Sequence, residues 1–158
     1  MTAAASVARM RAPPAYRLTH PVVPERSIQE ACCTALDTLI LPPAFWFSAA
    51  IGASKLSPQQ ATALARAGVK RGIPDIIVIT PIHNGSRVLG IELKTRTGRL
   101  SKTRIVRTKS GAPRILEGQE DVFLRLEAAG MVIEVARSVN DMILALERWN
   151  IPMRSHYR

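Results

Sequence analysis

The sequence predicts an α/β protein with a mixed central sheet flanked by helices. Three observations predict it. Apolar residues recur at three- and four-residue spacing through Glu25–Leu39, the period of a helix lying on a core. Ile76-Ile77-Val78-Ile79 is a continuous apolar run, as expected of a strand buried on both faces. Asn84-Gly85 stands between that run and a second one containing Leu89, Ile91 and Leu93, and Asn-Gly is a strong hairpin signal.

The chain has 158 residues, which suits one domain, and its apolar fraction of 47% is enough for a core. Residues 1–24 read as an irregular N-terminal arm, 25–150 as a single domain with a basic insertion at about 102–118, and 151–158 as a basic tail. The formal net charge of +10 points to a polyanionic partner, nucleic acid before membrane. Aromatic residues make up only 4%, so a surface of stacking platforms for single strands is not expected. The two cysteines, Cys32 and Cys33, are adjacent, and no Cys/His ligand spacing exists. Neither a disulfide framework nor a zinc site is expected, and a reducing compartment follows. No stretch is long and apolar enough to span a membrane, and no secretory leader is recognisable at Met1–Arg17.

The elements follow in order. In the first helix, Ile28, Ala31, Cys32, Ala35, Leu36 and Leu39 share an arc that also takes in Glu25, with Gln29 at its edge. Glu30 falls on the solvent side. Glu25 is a candidate site residue, although an acid in a first turn also complements the helix dipole. Pro42-Pro43 ends the helix, and Phe45–Ile51 reads as a core strand with Phe45, Phe47 and Ala49 alternating inward. Ser57, Pro58 and Gln60 form a capping box opening a short helix that Gly68 ends. The hairpin strands come next. Gly118–Ala129 is helical with Gly130 as terminator, and Val122, Phe123, Leu126 and Ala129 form its buried face, which Gln119 shares. Met131–Arg137 is a strand, and Ser138-Val139-Asn140-Asp141 is a second capping box opening a last helix that Met142, Ile143, Leu146 and Trp149 pack down.

Charges in the hairpin carry the chemistry. With Asn84 and Gly85 as the loop, His83 pairs with Ser86, Asp75 lies opposite Lys94, and Glu92 lies opposite Ile77. Period-two alternation then puts Asp75, Glu92 and Lys94 on one face, with the two acids as diagonal neighbours roughly 7–8 Å apart. Two carboxylates so placed can close on one hard cation, and a lysine beside them can act on a metal-bound water. A cross-strand salt bridge on an exposed face would look the same in sequence.

Beyond Lys94, the stretch Thr95–Arg114 contains Arg96, Arg99, Lys102, Arg104, Arg107, Lys109 and Arg114, with no acid between Glu92 and Glu117. Together with Lys70 and Arg71, just before Asp75, these residues suit contacts to nucleic-acid phosphates. The bland alternative is a mobile, solvated loop. Both hold if the segment is disordered alone and ordered on a nucleic acid.

The quoted motifs recur together in one known setting. Glu25-x-x-Ile28-Gln29, Gly68-x-x-x-Gly72-Ile73-Pro74-Asp75, Gly90-Ile91-Glu92-Leu93-Lys94, Gly98-Arg99-Leu100-Ser101, and Gln119 followed by Leu126 and Ala129-Gly130 resemble, in that order, the PD-(D/E)XK nuclease superfamily. More narrowly, they resemble the virus-type replication-repair nuclease family, VRR-NUC. Lys102–Gly118 is inserted ahead of the Gln helix relative to the family pattern. The resemblance implies a restriction-endonuclease-like αβββαβ core and a divalent-metal-dependent endonuclease of DNA. It also implies selectivity for branched or flapped structure over sequence, a role in DNA repair, and a bacterial or phage-encoded protein acting in the cytoplasm. Asp75, Glu92, the Leu93 carbonyl and Glu25 would hold Mg²⁺ or Mn²⁺. Lys94 would orient or deprotonate the attacking water or stabilise developing charge, and Gln119 would orient phosphate or water. A homodimer would suit an enzyme that cuts junctions. A second reading is a nucleic-acid-binding protein without catalysis that works through 95–114. Membrane-surface binding is a third, weakened by the shortage of apolar anchors near Ile105 and Val106.

Overall fold

A computed structural model describes residues 23–49, 56–108 and 110–154. The expectations for the arm at 1–22, for Ile51 and for the last four residues lie outside those residues. Within them the chain is mixed α/β, with four helices, a mixed sheet of four strands and a separate two-stranded ribbon.

Helix α1 spans Glu25–Leu39, and its buried residues Ile28, Cys32, Leu36 and Leu39 follow the expected period. Glu30 is exposed and paired with Arg26 at 2.8 Å. Strand β1, Phe45–Ser48, pairs antiparallel with β2, Ile76–Ile82. The expected facing of β1 is inverted. Phe45 and Phe47 are exposed, and Trp46 is the residue that packs on the core. Among the described residues β1 pairs only with β2, at the edge of the sheet, and nothing covers the face that carries the two phenylalanines. Helix α2, Pro58–Arg66, opens on the expected capping box. Gln60 N–H donates to Ser57 Oγ at 3.2 Å, and Ser57 N–H donates to Gln60 Oε1 at 2.9 Å.

Strand β3, Gly85–Leu93, pairs antiparallel with β2, but in a register two residues from the expected one. Ile82 pairs with Gly85 and Ile76 with Ile91, so His83 and Asn84 are the loop residues. Gly85 becomes the first strand residue at φ 144°, a positive φ that glycine accepts without strain. A shift of two leaves every side chain on its predicted face. The same register continued past Ile76 sets Asp75 directly across from Glu92.

Strand β6, Met131–Ala136, runs parallel to β3 on its other side, giving the order β1-β2-β3-β6. Helix α4, Val139–Arg148, and α1 cover one face of this sheet. Their Cys32, Leu36, Met142 and Leu146 join Ile76, Val78, Leu89, Ile91 and Leu93 in a core where each is at most 0% exposed. Burying one such aliphatic side chain contributes about 1.5–3 kcal/mol. Helix α3, Gln119–Ala128, lies on the opposite face through Val122 and Phe123, whereas Ala129, expected on that buried face, caps the helix end and is exposed. Of the two capping elements expected on α4, Ser138 Oγ accepts from Asp141 N–H, whereas the Asp141 carboxylate accepts from Arg137 N–H, one residue before the cap.

Two segments for which the sequence predicts no regular element are structured. The basic insertion is a β-ribbon rather than a loop: β4, Arg104–Arg107, pairs antiparallel with β5, Pro113–Leu116. Thr108 closes its end by exchanging backbone hydrogen bonds with Ala112 and Gly111. The first residues of the tail are also structured. Ile151 is buried, and Leu41 N–H and Arg154 N–H bond across to Pro152 and Leu39 carbonyls.

Candidate active site

Leu89, Ile91 and Leu93 point into the core under α1 and α4, so the alternate residues Gly90 and Glu92 point to the α3 side. Gly90 is glycine because a Cβ there would come within 2.7 Å of Pro74 Cγ and 3.0 Å of Met131 Sδ. Glu92 is 1% exposed, next to the C-terminal end of β3. Both helices that flank this end begin at it. Glu25 is the first residue of α1, and Gln119 is the first residue of α3.

All five residues singled out as catalytic meet here. Lys94 Nζ donates to Glu92 Oε1 at 2.5 Å and stands 3.5 Å from Glu25 Oε1. Gln119 Nε2 also donates to Glu92 Oε1. Asp75 Oδ2 accepts from Leu93 N–H at 2.8 Å, which fixes the carboxylate at the mouth of the β2–β3 pair. Glu92 Oε2 is buried with no hydrogen-bond partner, and it is the single such side-chain atom among the described residues.

The electrostatics follow from burial. Loss of water raises the Glu92 carboxyl above its ordinary value, with Asp75 adding to the rise and the bonds from Lys94 and Gln119 opposing it. Burial likewise raises Asp75, against the lowering by Leu93 N–H and Lys94. Burial pulls Lys94 down, but the bond to Glu92 and the charges of Glu92, Glu25 and Asp75 outweigh it, so Lys94 titrates above its ordinary value and stands as a cation. Cys32, in the core away from this site, is pushed up to about 11 chiefly by burial and is an inert thiol.

Around this centre sits a layer that sequence reasoning left without roles. Ser101 clasps Gln119 at both ends: Ser101 N–H donates to Gln119 Oε1 at 3.2 Å, and Gln119 N–H donates to Ser101 Oγ at 3.0 Å. With its carbonyl held by Ser101 and its amide on Glu92, Gln119 positions the carboxylate. Ser48 Oγ donates to the Asp75 carbonyl at 3.2 Å and accepts from Gln29 Nε2 at 3.2 Å, tying α1 and β1 to the start of β2. Arg137 caps the loop after Lys94, donating to the carbonyls of Thr95 at 2.5 Å and Gly98 at 2.9 Å. Ser101 was legible as part of a motif; a lone arginine after β6 carries no such signal.

Of the residues proposed for phosphate contacts, Lys70, Arg71, Arg96, Arg99, Lys102, Arg104, Arg107 and Arg114 are all exposed, and none is ion-paired among the described residues. Lys109 lies outside the described residues.

Among the described residues no three acidic, histidine or cysteine side chains close on one point. Two carboxylates facing one another, one with a buried oxygen lacking any donor, are nonetheless the oxygen-only chemistry that Mg²⁺ or Mn²⁺ takes, with backbone carbonyl and water completing the shell. No helix among the described residues is long and apolar enough to cross a membrane. No family model, curated protein or solved structure matches this chain.

Proposed function

We propose that the chain is a divalent-metal-dependent endonuclease of DNA, built on a restriction-endonuclease-like αβββαβ core of the VRR-NUC kind. The observation that carries this reading is Glu92: a carboxylate 1% exposed, one oxygen bound by Lys94 and Gln119, the other without a partner. Leaving a buried polar group unsatisfied costs about 1–3 kcal/mol, more when it is charged. Glu92, Asp75 and the Leu93 carbonyl, with Glu25 at the edge, would hold a cation that relieves that cost. When bound, such an ion supplies charge neutralisation at the phosphate and a more acidic water.

The chain's own residues do the rest. Lys94, held protonated by its carboxylate neighbours, is a poor base and a good donor, so it stabilises negative charge on the attacked phosphate. Gln119, locked by Ser101, keeps Glu92 from turning away. The unpaired cations from Lys70 to Arg114 hold the backbone of the substrate and read no bases. Selectivity for branched or flapped DNA and a homodimeric state belong to the same proposal.

One observation favours a second reading. Lys94 bonds Glu92 directly, which also describes a structural ion pair in a protein that binds nucleic acid without cutting it. Labelled single-stranded, duplex, flapped and four-way DNAs are incubated with Mg²⁺, with Mn²⁺ and with EDTA, using wild type, Asp75→Asn and Lys94→Ala. The nuclease predicts metal-dependent cutting that falls by at least a hundredfold in both variants. Salt-sensitive binding with no cutting under any metal selects the second reading.

A further inference from the structure

The ribbon β4–β5 carries a feature that phosphate binding does not need. Ile105 and Ile115 are directly paired across it and are 71% and 68% exposed. Directly opposite residues share a face, so the two side chains stand together as one apolar knob, about 5 Å between their Cβ atoms. Arg107 and Pro113 share that face two residues on, while Val106 and Leu116, on the other face, are half-buried. Arg104 and Arg114, both exposed, neighbour the pair along the ribbon but project from the other face, with Val106 and Leu116.

The ribbon is rooted in the candidate site. Thr103 Oγ1 accepts from Gly118 N–H at 2.8 Å and donates to Asp121, while Glu120 N–H donates to the Ser101 carbonyl at 3.2 Å. The two feet touch so closely that a Cβ on Gly118 would lie 2.3 Å from the Lys102 carbonyl carbon. Gln119 and Ser101, at those feet, hold Glu92. Ile105 is two residues, roughly 7 Å of strand, beyond Thr103.

We infer that the Ile105–Ile115 knob seats on the open face of a base pair where DNA stacking is interrupted, as at a branch or flap, and so presents a phosphate a few nucleotides away to Glu92. The inference rests on the reading of the partner as DNA. Apolar side chains set among arginines are the means by which proteins occupy an unstacked step while neutralising the phosphates beside it. Charge selects this occupant over the others. A second copy docked on the knob would bring Arg107, which shares its face, against its own kind. Two isoleucines are too little apolar surface to hold a bilayer.

The test uses the full chain in EDTA, so that binding is read without cutting. Affinities are measured by anisotropy for a continuous duplex and for the same duplex with a single-stranded flap, with 2-aminopurine at the pair bordering the branch. Wild type is expected to prefer the flapped DNA at least tenfold and to brighten the 2-aminopurine. Ile105→Ser/Ile115→Ser, at exposed positions, is expected to reduce that preference below twofold and abolish the brightening. Arg104→Ala/Arg107→Ala is expected to weaken both DNAs alike and keep the preference. The inference is overturned if the serine pair keeps both the preference and the brightening. It is also overturned if that pair instead converts a dimer to a monomer in sedimentation, or abolishes binding to anionic vesicles. A wild type that shows the preference but never cuts with Mg²⁺ or Mn²⁺ defeats the nuclease and leaves the knob standing. One that cuts both DNAs equally, with no preference for the serine pair to remove, defeats the knob alone.

Discussion

Replacing Lys94 by methionine tests whether the buried pair at the centre of the site is coupled as its geometry requires. Methionine fills the same volume without the charge, leaving the Glu92 carboxylate, 1% exposed, with Gln119 as its remaining donor. Breaking a buried ion pair from one side costs about 3–5 kcal/mol. Glu92→Gln is milder, about 1–3 kcal/mol, because Lys94 retains Glu25 at 3.5 Å. The double variant removes both charges and is expected to lie within about 2 kcal/mol of wild type. The cycle then shows a coupling of several kcal/mol between the two residues. Urea unfolding in EDTA reads it: with a slope of about 2 kcal/mol per molar, Lys94→Met lowers the midpoint by about 1.5–2.5 M and the double variant recovers most of the loss. Single effects that add to the double within about 0.5 kcal/mol would refute the pairing. The same set separates stability from chemistry, since the double variant is expected to fold well and cut nothing.

Three further outcomes follow from the same geometry. Asp75 and Glu92 titrate higher folded than unfolded, so the folded chain binds more protons in that window. Stability in EDTA therefore falls as pH rises from about 4 through their raised values, and Glu92→Gln flattens that descent in urea melts. If the cation binds with a Kd of about 1 mM, 10 mM Mg²⁺ adds about 1.4 kcal/mol to wild type. The resulting rise of about 3–5 °C in Tm by calorimetry is expected to be absent in Asp75→Asn. Gly118→Ala forces a Cβ against the backbone of Lys102 and Thr103, and is expected to cost about 1–3 kcal/mol and to raise amide exchange at Gly118 and Gln119. Protection unchanged from wild type would mean that the ribbon's feet are not clamped.

Helix α1 and the α2 cap were legible because their signals are local: a 3.6-residue period, and Ser57 with Gln60. The face shared by Asp75, Glu92 and Lys94 was legible although its register was not. Asn84-Gly85 named the turn but not which two residues form the loop, and an even slip preserves faces. The facing of β1 failed for a reason outside the strand. Alternation cannot say which face is covered, and the edge position left Phe45 and Phe47 outside with Trp46 within. The ribbon was not legible because arginine, lysine and threonine hide a pairing that only the ladder from Arg104 to Leu116 reveals. Gln119 was found by motif, but its clasp by Ser101 needed contact across 18 positions of chain.

The meeting of the ribbon's feet makes the segment between them exchangeable. Ser101 and Gln119 are joined by two hydrogen bonds, so the chain leaves the site and returns to it at one place. Whatever lies between Thr103 and Gly118 adds loop-closure entropy that grows only slowly with length, about 0.6 kcal/mol per doubling. That junction is therefore a socket. A shorter turn, or a ribbon with a different face, can be grafted there to redirect what the protein grips while the carboxylates keep their places.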